Sequence, residues 1–225
     1  TRRSSDLMMD EEGRLVDPHR IMALLVDYLH RERGESGMVV KSITTTDLLD
    51  RMTEAFGLPL RVTPVGFKYI AATMTEEDVL VGGEESGGIA VRGHVPERDG
   101  LLTGLRVVEL AVKRGEALSS LVKQLFEEFG PHHYHRKDLH LEEAVKTAFL
   151  ERIEAEGLEE VGGHPVRGVE DLDGYKFRTD AGWVMVRPSG TEPVLRVSAE
   201  ASAPERAEAL AEEMVERIRA TETAA

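Results

Sequence analysis

The stretch Gly37–Val62, GMVVKSITTTDLLDRMTEAFGLPLRV, decides the fold class. Gly37-Met38-Val39-Val40-Lys41-Ser42-Ile43 is a short apolar run with β-branched residues, as a buried strand requires. Thr46 or Asp47 then offers a capping oxygen to a helix over Leu48–Phe56, and Leu60-Arg61-Val62 reads as a second strand. Strand, helix and strand in so short a span predict a parallel sheet.

The pattern extends both ways from there. Upstream, Asp17 and Pro18 are a helix cap and a first helical residue, and apolar residues at helical spacing carry the helix from Ile21 to Leu29, ending before Gly34. Downstream, a short helix over Phe67–Met74 leads to a third strand, Asp78-Val79-Leu80-Val81, and then to the loop Gly82-Gly83-Glu84-Glu85-Ser86-Gly87-Gly88. Helices follow over Gly100–Lys113 and Glu116–Phe129. A polar, aromatic segment, Pro131–His140, precedes a charged helix over Leu141–Ala155. After Gly157 and Gly162-Gly163 the rhythm changes to short strands, near Val166–Val169, Tyr175–Arg178, Trp183–Val186 and Val194–Ala199, closed by an amphipathic helix over Ala203–Ile218. The expected fold is an α/β domain with a mixed or parallel sheet between helical layers, then a smaller α+β domain with an antiparallel sheet. The expected divisions are 1–34 as an entry segment and linking helix, 35–155 and 156–225.

Composition narrows the function. The 225 residues are 41% hydrophobic and 31% charged, with no apolar run long enough to span a bilayer. No cysteine is present, which excludes a disulfide framework and thiol chemistry, and TRRSSDLMMDEEGR has no apolar leader. A cytoplasmic protein without membrane attachment is expected. A net charge of −14 argues against nucleic acid as partner, because that affinity comes from cations set over phosphates.

Two loops carry the chemistry. Arg187-Pro188-Ser189-Gly190-Thr191-Glu192-Pro193 collects a guanidinium fork, two hydroxyls and an unshielded glycine amide, all hydrogen-bond donors suited to a phosphate. It also reads as a plain hairpin connection in which two prolines end the ladder and Gly190 turns the chain. The Gly82–Gly88 loop is no phosphate cradle, since Glu84 and Glu85 repel phosphate and no Lys-Ser/Thr follows. It lacks the alternating oxygens of a calcium loop. Its carboxylates and Ser86 suit the hydroxyls of a sugar ring, the plainer alternative being a glycine turn with solvated acids. Read together, the loops describe a phosphosugar.

Thr63-Pro64-Val65-Gly66-Phe67-Lys68-Tyr69-Ile70, the Gly82–Gly88 loop, Arg98-Asp99-Gly100 and the Arg187–Pro193 loop stand in the order of the signatures of the α-D-phosphohexomutases, the phosphoglucomutase/phosphomannomutase family, which this sequence resembles. The resemblance covers nearly the whole chain and only the second half of the family's architecture, domains 3 and 4. It implies interconversion of hexose 1-phosphate and hexose 6-phosphate through a phosphoserine and a bisphosphate intermediate. Mg²⁺ and hexose 1,6-bisphosphate serve the full-length enzyme, and neither is expected on this fragment alone. By the resemblance Glu84 and Ser86 hold sugar hydroxyls, while Arg187, Ser189, Gly190 and Thr191 bind the phosphate that is not transferred. The pair Glu84-Glu85 before Ser86 leans toward glucose, since bifunctional members commonly carry Met and glucosamine mutases Gln at the middle position.

The family's Thr/Ser-Ala-Ser-His-Asn-Pro serine motif and its Asp-x-Asp-x-Asp-Arg metal loop are not found, although Leu7–Arg14 looks like the strand and turn after that metal loop. The chain reads as a C-terminal fragment, inactive as a mutase without domains 1 and 2. The rival reading is a non-catalytic phosphosugar-binding module. Lys68 matches a family lysine and also reads as a surface helix lysine. Arg98 stands where many members carry Lys, and His94 reads as an anion donor or a solvated loop histidine. Arg196 either approaches the phosphate or pairs with Glu200 on an exposed strand face. His132, His133, His135 and His140 lack the cysteines and carboxylates that a zinc site needs, so no metal ligand is assigned.

Overall fold

The computed structural model describes residues 8–190 and 194–224. It opens on a hairpin, Met8–Met9 (β1) against Leu15–Val16 (β2), turned by Asp10, whose carboxylate accepts from the Glu12 and Arg14 amides. Asp17 caps Pro18–Asp27 (α1) by accepting from the Arg20 amide, and the helix widens into a π-helical turn, Tyr28–Glu32. The alternation then appears in full: Met38–Ser42 (β3), Leu48–Phe56 (α2), Leu60–Thr63 (β4), Phe67–Glu76 (α3) and Val79–Gly83 (β5). Ile89–Val91 (β6), Gly100–Arg114 (α4) and Leu118–Phe129 (α5) complete the first unit.

The sheet order is β4-β3-β5-β6. β3 lies parallel to both β4 and β5, while the short β6 turns back antiparallel along β5, so the sheet is mixed. Its two faces are covered separately. Val39, Leu80 and Val81 pack with Leu24 and Leu25 of α1, Leu48 and Met52 of α2, Leu110 of α4 and Leu121 of α5. Val40, Val79 and Ala90 pack with Phe67 and Ile70 of α3. The adjacent pairs Val39 and Val40 on β3 and Val79 and Leu80 on β5 thus feed opposite layers, as the pleat demands, and the unit has three layers. Leu24 and Leu25 are fully buried, each worth roughly 1.5–3 kcal/mol, so α1 is a central core helix rather than the linking helix expected over 1–34. At Gly82 α3 comes so close that an added Cβ would stand 2.5 Å from Ile70 Cγ2; only glycine admits that approach.

The second unit comprises His133–His140 (β7), Glu143–Glu156 (α6), the small hairpin Glu160–Val161 (β8) with His164–Pro165 (β9), Gly168–Glu170 (β10), Tyr175–Thr179 (β11), Gly182–Pro188 (β12), Val194–Ala201 (β13) and Pro204–Ala224 (α7). Five strands in the order β10-β11-β12-β13-β7, every pair antiparallel, form its sheet. One face buries Phe177, Val184, Val186, Leu195, Val197 and Ala199 under Phe149 and Ile153 of α6 and Leu210, Met214 and Ile218 of α7.

This arrangement corrects the expected boundary at 155/156. The division falls between Pro131 and His132, because β7 pairs with β13 along its whole length and α6 lies in the second core. The segment Pro131–His140 is so polar because it forms a sheet edge, where charged side chains discourage pairing with other chains. The opposite face of β13 is not exposed either. Glu200 is 2% exposed and accepts from Trp183 Nε1 at 3.2 Å, Ser198 Oγ lies 2.8 Å from Tyr134 Oη, and the Lys176 ammonium stands 4.0 Å from the Trp183 ring centre. Among the described residues no helix is long and apolar enough to cross a membrane.

Candidate functional site

The parallel strands β3, β4 and β5 end on the same edge of their sheet, where α/β proteins bind ligands. The crevice there lies between the neighbours β3 and β5: α2, which leaves β3, and α3, which leads into β5, cover opposite faces of the sheet. The loop after β5 crosses this edge. Glu84 is 5% exposed, and its Oε1 accepts from the amide of Gly66, in the loop after β4, at 2.7 Å. Since β3 lies between β4 and β5, that bond carries the loop over the end of β3. Gly66, at φ 136, opens α3 and presents its amide in a conformation that disfavours any larger residue. Glu85 Oε2 accepts from Thr44 Oγ1 at 2.6 Å and from Ser42 Oγ at 3.3 Å, both at the end of β3. Gly87 donates back to the Glu84 carbonyl at 3.1 Å and closes the turn with Ser86 exposed at its tip.

Beneath the loop lies a buried cation. The Lys41 ammonium donates to the carbonyl of Thr46 at 3.0 Å and pairs with Asp47 at 3.1 Å and with Asp50, which fixes the Thr44–Asp47 turn from below. His19 Nδ1 of α1 accepts from the Thr46 amide at 3.0 Å. Of the two caps expected for α2, Asp47 stands at the N-cap position but turns its side chain to Lys41, and the Thr46 hydroxyl accepts from the Leu48 amide at 3.0 Å.

The other candidates of this unit are placed as follows. Arg98 joins Glu84 and Phe67 around Gly88, where an added Cβ would meet Arg98 Cδ at 3.2 Å and Glu84 Oε2 at 3.7 Å; its guanidinium lies 5.7 Å from the Phe67 ring centre. Lys68, exposed in the first turn of α3, stands over the Tyr69 ring at 4.8 Å. His94 Nε2 lies 3.0 Å from Asp99 Oδ2, and the other oxygen of Asp99 caps α4 through the Leu101 and Leu102 amides. Those contacts, the Leu102 amide foremost and then His94, hold the Asp99 carboxyl below its ordinary value.

In the second unit, Arg187, Pro188, Ser189 and Gly190 leave the end of β12, and the Ser189 amide donates to the Val194 carbonyl at 3.0 Å across the mouth of the hairpin. Thr191 lies outside the described residues. Arg187 is directly opposite Arg196 on β13, and Arg196 is opposite Asp138 on β7. Like charges facing each other across strands repel, and here each has an acid beside it. Arg187 Nε donates to Asp173 at 2.8 Å, while Arg196 Nε lies 3.8 Å from Asp138, which Arg136 also grips through two bonds of 2.7 Å. Arg196 therefore has an acid beside it across the strands in Asp138, while Glu200 accepts from Trp183. A phosphate reaching this pair would exchange one acid contact for a doubly charged acceptor that fits the guanidinium fork.

Sequence reasoning did not find Ser42, Thr44, the Gly66 amide, Asp173 or Asp138. Short hydroxyl side chains at a strand end carry no spacing signal, and their partners are brought together only by the fold. Among the described residues no three His, Asp or Glu side chains are grouped as metal ligands.

Two family models match the chain: residues 17–129 fit "Phosphoglucomutase/phosphomannomutase, alpha/beta/alpha domain III", and residues 141–217 fit "Phosphoglucomutase/phosphomannomutase, C-terminal domain". The phosphoglucomutase/phosphomannomutase of Thermococcus kodakarensis is 34% identical over 201 residues, which cover 89% of this chain and 42% of its own length. A phosphoglucosamine mutase of Rubrobacter xylanophilus is 35% identical over 195 residues, 86% of this chain and 40% of that protein. The crystal structure of a protein named as a phosphomannomutase, from Thermus thermophilus, matches with a TM-score of 0.77 and 34% identity, covering 92% of this chain and 42% of that one. The chain thus spans about two fifths of the length of these relatives. With each unit matched by its own domain model, the chain belongs to the phosphoglucomutase/phosphomannomutase family, in which it represents domain III followed by the C-terminal domain.

Proposed function

We propose that this chain is the sugar- and phosphate-holding portion of a hexose phosphate mutase, a protein that interconverts hexose 1-phosphate and hexose 6-phosphate through a phosphoserine and a bisphosphate intermediate. The observation that carries the reading is the Gly82–Gly88 loop. It spans the end of β3, fixed through Glu84 and Glu85, and lifts Ser86 to an exposed tip. Glu84 Oε1 serves the Gly66 amide, and a carboxylate has acceptor positions beyond that one for the hydroxyls of a sugar ring. Ser86 adds a hydroxyl that donates or accepts, and Arg98, Lys68 and His94 add positive or donor character near the anion. Arg187, Ser189, Gly190 and Thr191, with Arg196 opposite Arg187, take the phosphate that is not transferred. Holding this remote phosphate turns binding energy into placement of the reacting oxygen.

The serine and the divalent cation used in this chemistry belong to the parts of longer family members that this chain does not span. The cation would neutralise charge on the phosphoryl group in flight. Members of the family named for glucose, mannose and glucosamine phosphates share the fold, and Glu85 at the middle of the loop favours glucose here.

Calorimetric titration of the chain with glucose 1-phosphate and glucose 1,6-bisphosphate tests the reading, with Arg187→Ala as control and circular dichroism to verify its fold. Binding by the parent, weakened at least about tenfold in the folded control, is expected, a loss of about 1.4 kcal/mol. Equal affinities in the two proteins, or no binding by the parent, would overturn it.

A further inference from the structure

The two adjacent carboxylates of the sugar loop have different partners. Glu84 is tied to the Gly66 amide, on the far side of β3. Glu85 is tied to β3 itself, with Thr44 Oγ1 donating at 2.6 Å and Ser42 Oγ at 3.3 Å. Ser42 Oγ also lies 3.1 Å from Thr44 Oγ1 and 2.8 Å from Thr45 Oγ1, so three buried hydroxyls form one network beneath Glu85. The network stands on the turn that Lys41 holds from below. Glu85 precedes the exposed Ser86, so whatever fixes Glu85 fixes the tip of the loop.

From this geometry we infer that Thr44, seconded by Ser42, is a positioning residue for the sugar loop: it clamps Glu85 to the end of β3 and thereby sets where Ser86 and Glu84 meet the hydroxyls of a hexose phosphate. The inference rests on the hexose phosphate reading above and adds the residues that set its selectivity. A hydroxyl bonded to a carboxylate is a directed, charge-assisted contact, and its loss loosens the loop where Glu85 is held. Sugars that differ at a single hydroxyl are told apart by donors and acceptors held in place, so a loosened loop loses discrimination along with affinity.

The test compares the parent chain with Thr44→Val, which keeps the shape and removes the hydroxyl, and Thr44→Ser, which restores the hydroxyl. Affinities for glucose 1-phosphate and mannose 1-phosphate are measured by calorimetry, and amide hydrogen exchange is followed at Gly87 and Gly66 without ligand. Thr44→Val is expected to bind the preferred sugar phosphate about tenfold more weakly, to bring the ratio of the two affinities toward one, and to exchange faster at Gly87. Thr44→Ser returns all three to parent values. A parent that binds and a Thr44→Val chain with unchanged affinity ratio and unchanged Gly87 exchange would overturn the positioning role while leaving the functional reading in place. A parent that takes up neither sugar phosphate would overturn that reading and the positioning role with it.

Discussion

Glu84, 5% exposed, and Lys41, 1% exposed, are two buried charges on which the first unit places its site, and both are open to direct tests. Replacing Glu84 by Gln keeps the shape and one carbonyl acceptor but removes the charge that strengthens its bond to the Gly66 amide and that would strengthen the proposed one to a sugar hydroxyl. Hexose phosphate affinity should fall about tenfold, roughly 1.4 kcal/mol, in a calorimetric titration, and an unchanged affinity would remove Glu84 from the site. Lys41→Met leaves Asp47 and Asp50 facing each other without their shared cation. The side chain of Asp50 is 38% exposed, so water relieves part of the repulsion, and the cost should be about 2 kcal/mol rather than that of a fully buried pair. Urea unfolding measures it; an unchanged midpoint would show that the cation does not support the turn. The clamp on Glu85 was not legible in the sequence, because its hydroxyl partners lie 41 and 43 residues away. The donor-rich Arg187–Pro193 loop was legible as a candidate, but the acids beside Arg187 and Arg196 come from elsewhere, Asp173 from the turn between β10 and β11 and Asp138 from β7.

Helix α4 begins at Asp99, one oxygen of which accepts from the Leu101 and Leu102 amides while the other meets His94. The carboxyl titrates below its ordinary value of 3.8, chiefly through the Leu102 amide. Its stabilising contribution is therefore complete above the value of the unfolded chain and is lost as pH falls through the lower folded value. Asp99→Ala should lower the melting temperature at neutral pH and flatten its fall in the acid range, read by thermal circular dichroism at a series of pH values. Parallel curves for parent and variant would mean that the cap does not govern the acid limb. Elements with punctuation were readable: Asp17-Pro18 announces α1, and Gly57 closes α2 in the left-handed conformation expected of a helix end. Elements without it were not. β6 has only three residues, and β7 is built mostly of histidines and charged residues because it borders the sheet. One reading of the polar row Arg196, Ser198 and Glu200 put it on an exposed face, yet neighbouring strands supply it with partners: Trp183 Nε1 donates to Glu200, Tyr134 Oη lies beside Ser198 Oγ and Asp138 lies beside Arg196.

The molecule contains one tryptophan, Trp183, and it lies in the second unit, so fluorescence follows that unit alone. Phe149, fully buried on α6, belongs to the same core. Phe149→Ala should lower the denaturant midpoint of the tryptophan signal by the equivalent of about 3–5 kcal/mol. If α6 instead belonged to the first unit, as the boundary expected at 155 implied, the tryptophan transition would stay where it is. The position of that division also governs recombination. A hybrid gene joining the first unit of one relative to the second of another should cross over between Gly130 and His132, where each product inherits a complete sheet. A splice at residue 155 would hand β13 an edge partner evolved against a foreign strand. Any mismatch there would leave the main-chain groups of Val194–Ala201 open to other molecules, so the hybrid's first symptom would be insolubility rather than lost binding.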